Sequence, residues 1–229
     1  HRDLHSFPTR RSSDLNAGGG VLGRPIELLS EDSVNPQVAS SKAQRMIERD
    51  GVALLCGEIS SASALTISQV AARNRKLFLS IGARSDTLRG KDCNRYTFHV
   101  DIPVTVMVKA VGQALLRDRL VQGKKIFSLT SDYLFGHDLA RVAKAFYAAN
   151  GATSVGDELV ATDLTDFSPF LLKIRQARPD VVSTNLGGNQ VTNFVKQYAE
   201  FGLPYPVVGF NLNTADAWAA GEGNLGGIW

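Results

Sequence analysis

From residue 26 onward the chain alternates short apolar runs with longer stretches of helical periodicity. The runs fall at residues 26–30 (Ile-Glu-Leu-Leu-Ser), 52–56, 77–81, 125–130, 155–161, 181–184 and 207–210, and each is predicted to be a strand. Between them, helices are predicted over 36–49, 61–74, 104–118, 136–150, 169–177 and 190–201. Val38, Ala39, Lys42, Ala43, Met46 and Ile47 recur at helical spacing, and Pro36 sits in a first turn, where a missing N–H is tolerated. Asn150-Gly151 and Phe201-Gly202 stand where helices stop. Strand and helix in strict alternation make a parallel sheet with crossover helices, so the fold class is α/β. The rhythm breaks between Ile81 and Val104, where 84–95 is polar and irregular before a short strand at 96–99. A domain crossing is placed near His99 to Asp101, with three of the predicted strands before it and four after.

The stretch "NAGGGVLGRPIELLSED" carries Gly18, Gly20 and Gly23 in the spacing G-x-G-x-x-G. In a dinucleotide site a strand precedes that motif and a helix follows it, so that phosphates sit on the helix N-terminus. Here the order is reversed, with Arg24-Pro25 and an apolar run following. The glycines read instead as a helix stop and a turn into a strand.

Composition adds little beyond "globular": 44% hydrophobic, 21% charged, net charge +3. The charge is spread along the chain, so no nucleic-acid partner is expected. No apolar run reaches the roughly 20 residues of a spanning helix. Cys56 and Cys93 either pair, if their Cα atoms lie about 6 Å apart, or stay free; Cys56, ending an apolar strand, reads as core. The first fifteen residues, "HRDLHSFPTRRSSDL", lack periodicity and an apolar h-region, and read as a tail, foreign to the gene or disordered.

His99 and His137 lie far apart with no Cys-x-x-Cys, His-x-x-x-His or carboxylate cluster joining them, so no metal and no cofactor is expected. No Gly-x-Ser-x-Gly elbow occurs, and no acid, base and nucleophile converge, so an enzyme is not expected. What stands out is a set of polar loops after the strands, where open parallel sheets bind ligands. In "GEISSASA", Ser60 and Ser61 either cradle an anion at a helix start or simply cap it. Gly82, Ala83 and Arg84 follow the next strand; the first two offer bare backbone, and the arginine either pairs with a carboxylate or stays solvated. "SDYLFG" puts Tyr133 and Phe135 at a strand end, as ligand wall or as core. "NLGGN" and "NLN" bring Asn185, Asn189, Asn211 and Asn213 as hydrogen-bonding groups. Five such loops would face each other across a cleft.

Four blocks in order, "NAGGGVLGRPIELLSED", "GEISSASALTISQVA", "LSIGARSDTL" and "SDYLFGHDLARVAKAFYAANGA", resemble the branched-chain amino acid binding proteins of ABC transporters, which are type I periplasmic binding proteins. The resemblance runs from about Asn16 to Trp229. It implies two Rossmann-like lobes, over 16–100 and 101–229, that close by hinge motion on a small molecule and deliver it to a membrane permease, in the periplasm or tethered outside the cell. A ligand sensor of the same fold, feeding a regulator or receptor, is the alternative. The resemblance also implies that a first strand and helix, and strands returning after Trp229, are missing, leaving the first lobe incomplete with exposed apolar edges.

By position, Ser61 matches the family serine that holds the ligand carboxylate, and Gly82 a backbone contact to the same group. Arg84 stands where amino acid binders have threonine. Phe135 falls near the cleft aromatic, Asn189 where a tyrosine is common, and Asn211 where amino acid binders place the acid that pairs with the ligand ammonium. Burying an ammonium without a countercharge is costly. The expectation is therefore a carboxylate without an amine, aromatic by the similarity of "SDYLFGH" to family members assigned to aromatic acids. An amino acid held by Asp132, Asp216 or an acid outside this chain is the alternative.

Overall fold

The computed structural model describes residues 6–228. Two compact units divide the chain, His1–Val34 and Asn35–Trp229.

In the first unit a helix, α1, runs over Ser6–Ala17, from within the stretch read as a tail to two residues past it. It stops where the glycines begin: the Gly18 N–H bonds the Asp14 carbonyl at 3.1 Å and the Gly20 N–H bonds that of Leu15 at 2.8 Å. Gly20 has φ +74°, and a Cβ there would lie 2.0 Å from the Arg24 carbonyl oxygen, so the turn admits only glycine. The predicted strand at 26–30 does not form. A strand exists through its partner, and among the described residues none pairs with this run. Instead the Asn16 side chain brackets Ile26, donating to its carbonyl at 2.8 Å and accepting from its N–H at 2.7 Å.

The second unit holds two parallel sheets. In the first, β1 (Leu54–Gly57), β2 (Leu77–Ser80) and β3 (Thr97–His99) lie in chain order. Helices α2 (Pro36–Glu48) and α3 (Ser61–Arg73) cover one face, packing Ala43, Ile47, Ala64 and Val70 on Leu55 and Phe78. Asn35 caps α2 by accepting from the Val38 N–H at 2.9 Å. The alternation of a strand sends Leu54 and Cys56 to the other face, with Leu77 and Phe98. That face is open: Leu77 is 46% and Phe98 53% exposed. Cys56, expected in the core, is exposed for this reason, and Cys93 is exposed and free as well.

The chain leaves β3 for α4 (Val104–Arg117) and enters the second sheet, which has the order β5-β4-β6-β7. The strands are β4 (Lys125–Ser131), β5 (Thr153–Val160), β6 (Val181–Asn185) and β7 (Val207–Gly209). With α4, helix α5 (Leu134–Ala149) packs one face around Ile126, Val181 and Val208. Helices α6 (Ser168–Ala177) and α7 (Asn189–Phe201) pack the other face around Phe127, Leu129 and Val182. The connection after β4 thus leaves on one face and that after β6 on the opposite face, which opens a crevice at the carboxyl ends of these neighbouring strands. The periodicity does not mark three further elements of this unit: 3-10 turns at Asp86–Leu88 and Glu222–Asn224, and α8 at Thr214–Ala220, capped by Asn213 and Asp216 in a capping box.

Candidate binding cleft

Arg84 leaves the end of β2 on a loop whose backbone is fixed from both sides. Its N–H and that of Ser85 donate to the Ser61 hydroxyl at 3.2 and 3.1 Å, and its carbonyl accepts from the Val104 N–H at 3.0 Å. The Ser61 oxygen is therefore spent on its neighbours. Being 0% exposed in this arrangement, it supports Arg84 from below.

The guanidinium itself is held at two edges. Nε donates to Asp101 Oδ2 at 2.8 Å, beyond the end of β3, and Nη1 donates to Asn211 Oδ1 at 2.7 Å, after β7. A guanidinium only donates, so Asn211 must turn its oxygen to it; the amide nitrogen then donates to the Leu186 carbonyl at 3.3 Å. Two loops of the first sheet and one of the second thus meet at one cation, with the Leu186 loop of the second sheet behind Asn211.

Tyr133 and Leu186-Gly187 stand at the crevice between β4 and β6. A Cβ on Gly187 would lie 2.5 Å from the Tyr133 hydroxyl. The ring sits 5.9 Å from that of Phe135, tilted by 42°. Burial pushes the Tyr133 phenol up to about 12, with the Arg84 charge pulling the other way. Phe135 is not an open wall. Helix α5 begins at Leu134, two residues before the expected start, so Phe135 turns into the core at 5% exposure and backs Tyr133.

The other candidates take different places. Ser60 caps α3, accepting from the Ser63 N–H at 3.4 Å, and its own N–H donates to Glu58 Oε1 at 2.7 Å, so a carboxylate of the chain already sits at this helix start. Gly82 packs on the backbone of Glu58 and Ile59. Ala83 is buried and its carbonyl accepts from His99 Nε2, while His99 Nδ1 accepts from Arg89 Nε at 2.7 Å. That pattern is the neutral Nε2–H tautomer, and desolvation, the largest influence, holds the His99 pKa below its usual value. Asn189 is exposed as the first residue of α7, and Asn185 is buried against Thr130 at 3.2 Å. Among the described residues no cluster of His, Cys, Asp and Glu could hold a metal ion, and no helix is long and apolar enough to cross a membrane.

The two acids weighed as partners for an ammonium each carry a hydrogen bond. Asp132 pairs with His137 at 2.8 Å, and Asp216 accepts from the Asn213 N–H at 3.2 Å. Asp101, which sequence reasoning did not single out as a site residue, is the partner that orients Arg84.

Comparison with known proteins agrees with this architecture. The sequence profile of the periplasmic binding protein family matches residues 11–229. The chain is 26% identical over 228 residues to a Leu/Ile/Val-binding protein homolog of Brucella abortus, covering 92% of this chain and 53% of that one. It therefore spans about half the length of the curated relatives it matches. A periplasmic binding protein of Burkholderia mallei superposes with a TM-score of 0.84 at 32% identity, over 93% of this chain and 56% of that one. A solute-binding protein of an ABC transporter from Rhodopseudomonas palustris, in complex with 3,4-dihydroxybenzoic acid, superposes with a TM-score of 0.77 at 25% identity, over 87% and 55%. With parallel sheets flanked by helices and a family match over nearly its whole length, this chain belongs to the periplasmic binding proteins.

Proposed function

We propose that this chain is the ligand-gripping part of the substrate-binding component of an ABC transporter, working in the periplasm and handing a small organic acid to a membrane permease. The acid is a carboxylate without an amine, aromatic in preference to aliphatic. The observation that carries this reading is the bridge from Arg84 to Asn211, where a cation of one sheet meets a neutral amide of the other. Arg84 keeps Nη2 and one Nη1 hydrogen for a carboxylate, a fork that suits a two-oxygen anion. An α-ammonium entering the same place meets the Asn211 amide and the Arg84 charge, while the neighbouring carboxylate, Asp101, is already taken by Arg84. Leaving an ammonium desolvated without a countercharge costs several kcal/mol. Two relatives frame the choice: the Rhodopseudomonas protein, solved with a dihydroxybenzoic acid, and the Brucella protein, named for branched-chain amino acids.

Calorimetry with benzoate and with leucine tests the reading. Benzoate should bind and leucine should bind at least about tenfold more weakly, with Arg84→Met removing the benzoate signal. Leucine binding tighter than benzoate, or no binding of either, overturns it.

A further inference from the structure

Gly187 and Gly188 follow each other at the end of β6, and the structure needs a glycine at each for different reasons. Gly188 has φ +56° and caps α7, so its need is conformational. Gly187 lies outside the left-handed region, and alanine could adopt its backbone. Its need is one of space. A Cβ there would stand 2.5 Å from the Tyr133 hydroxyl oxygen, closer than real Cβ contacts come, yet 3.5 Å from Tyr133 Cζ and 3.7 Å from Phe135 Cδ1, which are ordinary contacts. The hydroxyl alone creates the conflict. That hydroxyl makes no hydrogen bond to the protein among the described residues, and it stands beside Gly187, the neighbour of Leu186, whose carbonyl accepts from the Asn211 amide that in turn holds Arg84.

We propose that Gly187 is a positioning residue of the cleft: its bare Cα lets the Tyr133 hydroxyl stand between the β4 and β6 loops, where it donates a hydrogen bond to the acid held by Arg84. This rests on the reading of Arg84 as the carboxylate anchor. With a methyl group at 187 the phenol tip, the far end of a side chain with two rotatable bonds, swings away, and the fold is spared because nothing larger has to move.

Three variants test the assignment with benzoate as the probe. Gly187→Ala and Tyr133→Phe should each weaken benzoate by about tenfold, the loss of a hydrogen bond to an anion. The double variant should be no weaker than Tyr133→Phe alone, because without the hydroxyl the methyl has room. A further loss in the double variant, or a Gly187→Ala protein that binds as the parent does, overturns the proposal. A second reading needs no ligand. The alkaline difference spectrum between the parent and Tyr133→Phe isolates the Tyr133 phenol, and in Gly187→Ala, measured against the double variant, it should move from about 12 toward the usual 10. An unmoved phenol overturns the proposal even where benzoate binds to none of the proteins, an outcome that would count against the carboxylate anchor instead.

Discussion

At the residue scale, the cleft turns on which charge faces Arg84. Asn211 presents an oxygen without a charge, and a carboxylate at the same place would present both. Asn211→Asp should therefore neutralise Arg84 from within, competing with a ligand carboxylate while offering a countercharge to a ligand ammonium. Benzoate affinity should fall by about tenfold or more and leucine affinity should rise, both read by calorimetry. Unchanged affinity for both would mean that the ligand does not sit at this pair. Arg84 and Asn211 could each be picked out in the sequence, since each is a polar residue just past an apolar run. Their contact could not, because 127 positions separate them and the approach depends on where two loops end. Asp101 was passed over for a similar reason: nothing in its neighbourhood "HVDIP" marks it as the partner of a residue 17 positions earlier. The place of Ser61 was legible only in part. Its spacing to the helix start was legible, but the two amides that take up its oxygen come from the Arg84 loop.

At the element scale, periodicity located the strands of both sheets, because parallel strands covered by helices read as apolar runs. It misplaced the run at 26–30, since apolar character makes a strand only where a neighbour supplies the ladder. The first sheet shows the same logic in its two faces. Phe78 is 1% exposed beneath α2 and α3, while Leu77 and Phe98 lie open on the other side. Truncating the covered side with Phe78→Ala should cost about 3 to 5 kcal/mol in urea unfolding. Charging the open side with Leu77→Lys and Phe98→Lys should cost about 0.5 kcal/mol or less for each and should reduce self-association in sedimentation velocity, since exposed apolar strand faces invite it. Equal losses from the two sides would mean that something covers the open face. Burial is a pairwise property, so only an apolar alternation was legible and not which side would be covered.

At the scale of the whole second unit, the two sheets are tied beside the cleft by a network that no spacing announces. The Ser85 hydroxyl donates to Asp138 Oδ2 on α5, and Arg141 Nη2 donates to Asp138 Oδ1 at 3.1 Å. Asp86 lies 3.7 Å from the same guanidinium and accepts from the Thr105 N–H of α4 at 3.4 Å and from the Thr105 hydroxyl. Three consecutive residues, Arg84, Ser85 and Asp86, therefore anchor the first sheet to three places on the second: Asn211, α5 and α4. Asp138 is the member that joins a buried hydroxyl to a cation, and low exposure makes an orphaned partner expensive. Asp138→Ala takes the charged acceptor from the Ser85 hydroxyl, leaving it Thr87 Oγ1 at 3.0 Å, and leaves Arg141 with Asp86 alone, for an expected loss of about 1 to 3 kcal/mol. Asp138→Asn keeps one acceptor oxygen for Ser85 while turning an amide toward Arg141, so it should lose less. If the network couples the sheets, amide hydrogen exchange of Asp138→Ala across a urea titration should no longer show one transition for both, β4 and β6 of the second sheet outlasting β1 and β2 of the first. Coincident transitions in the variant, with a midpoint equal to that of the parent, would show that the sheets hold together without this tie and that the loop after β2 serves the cleft alone.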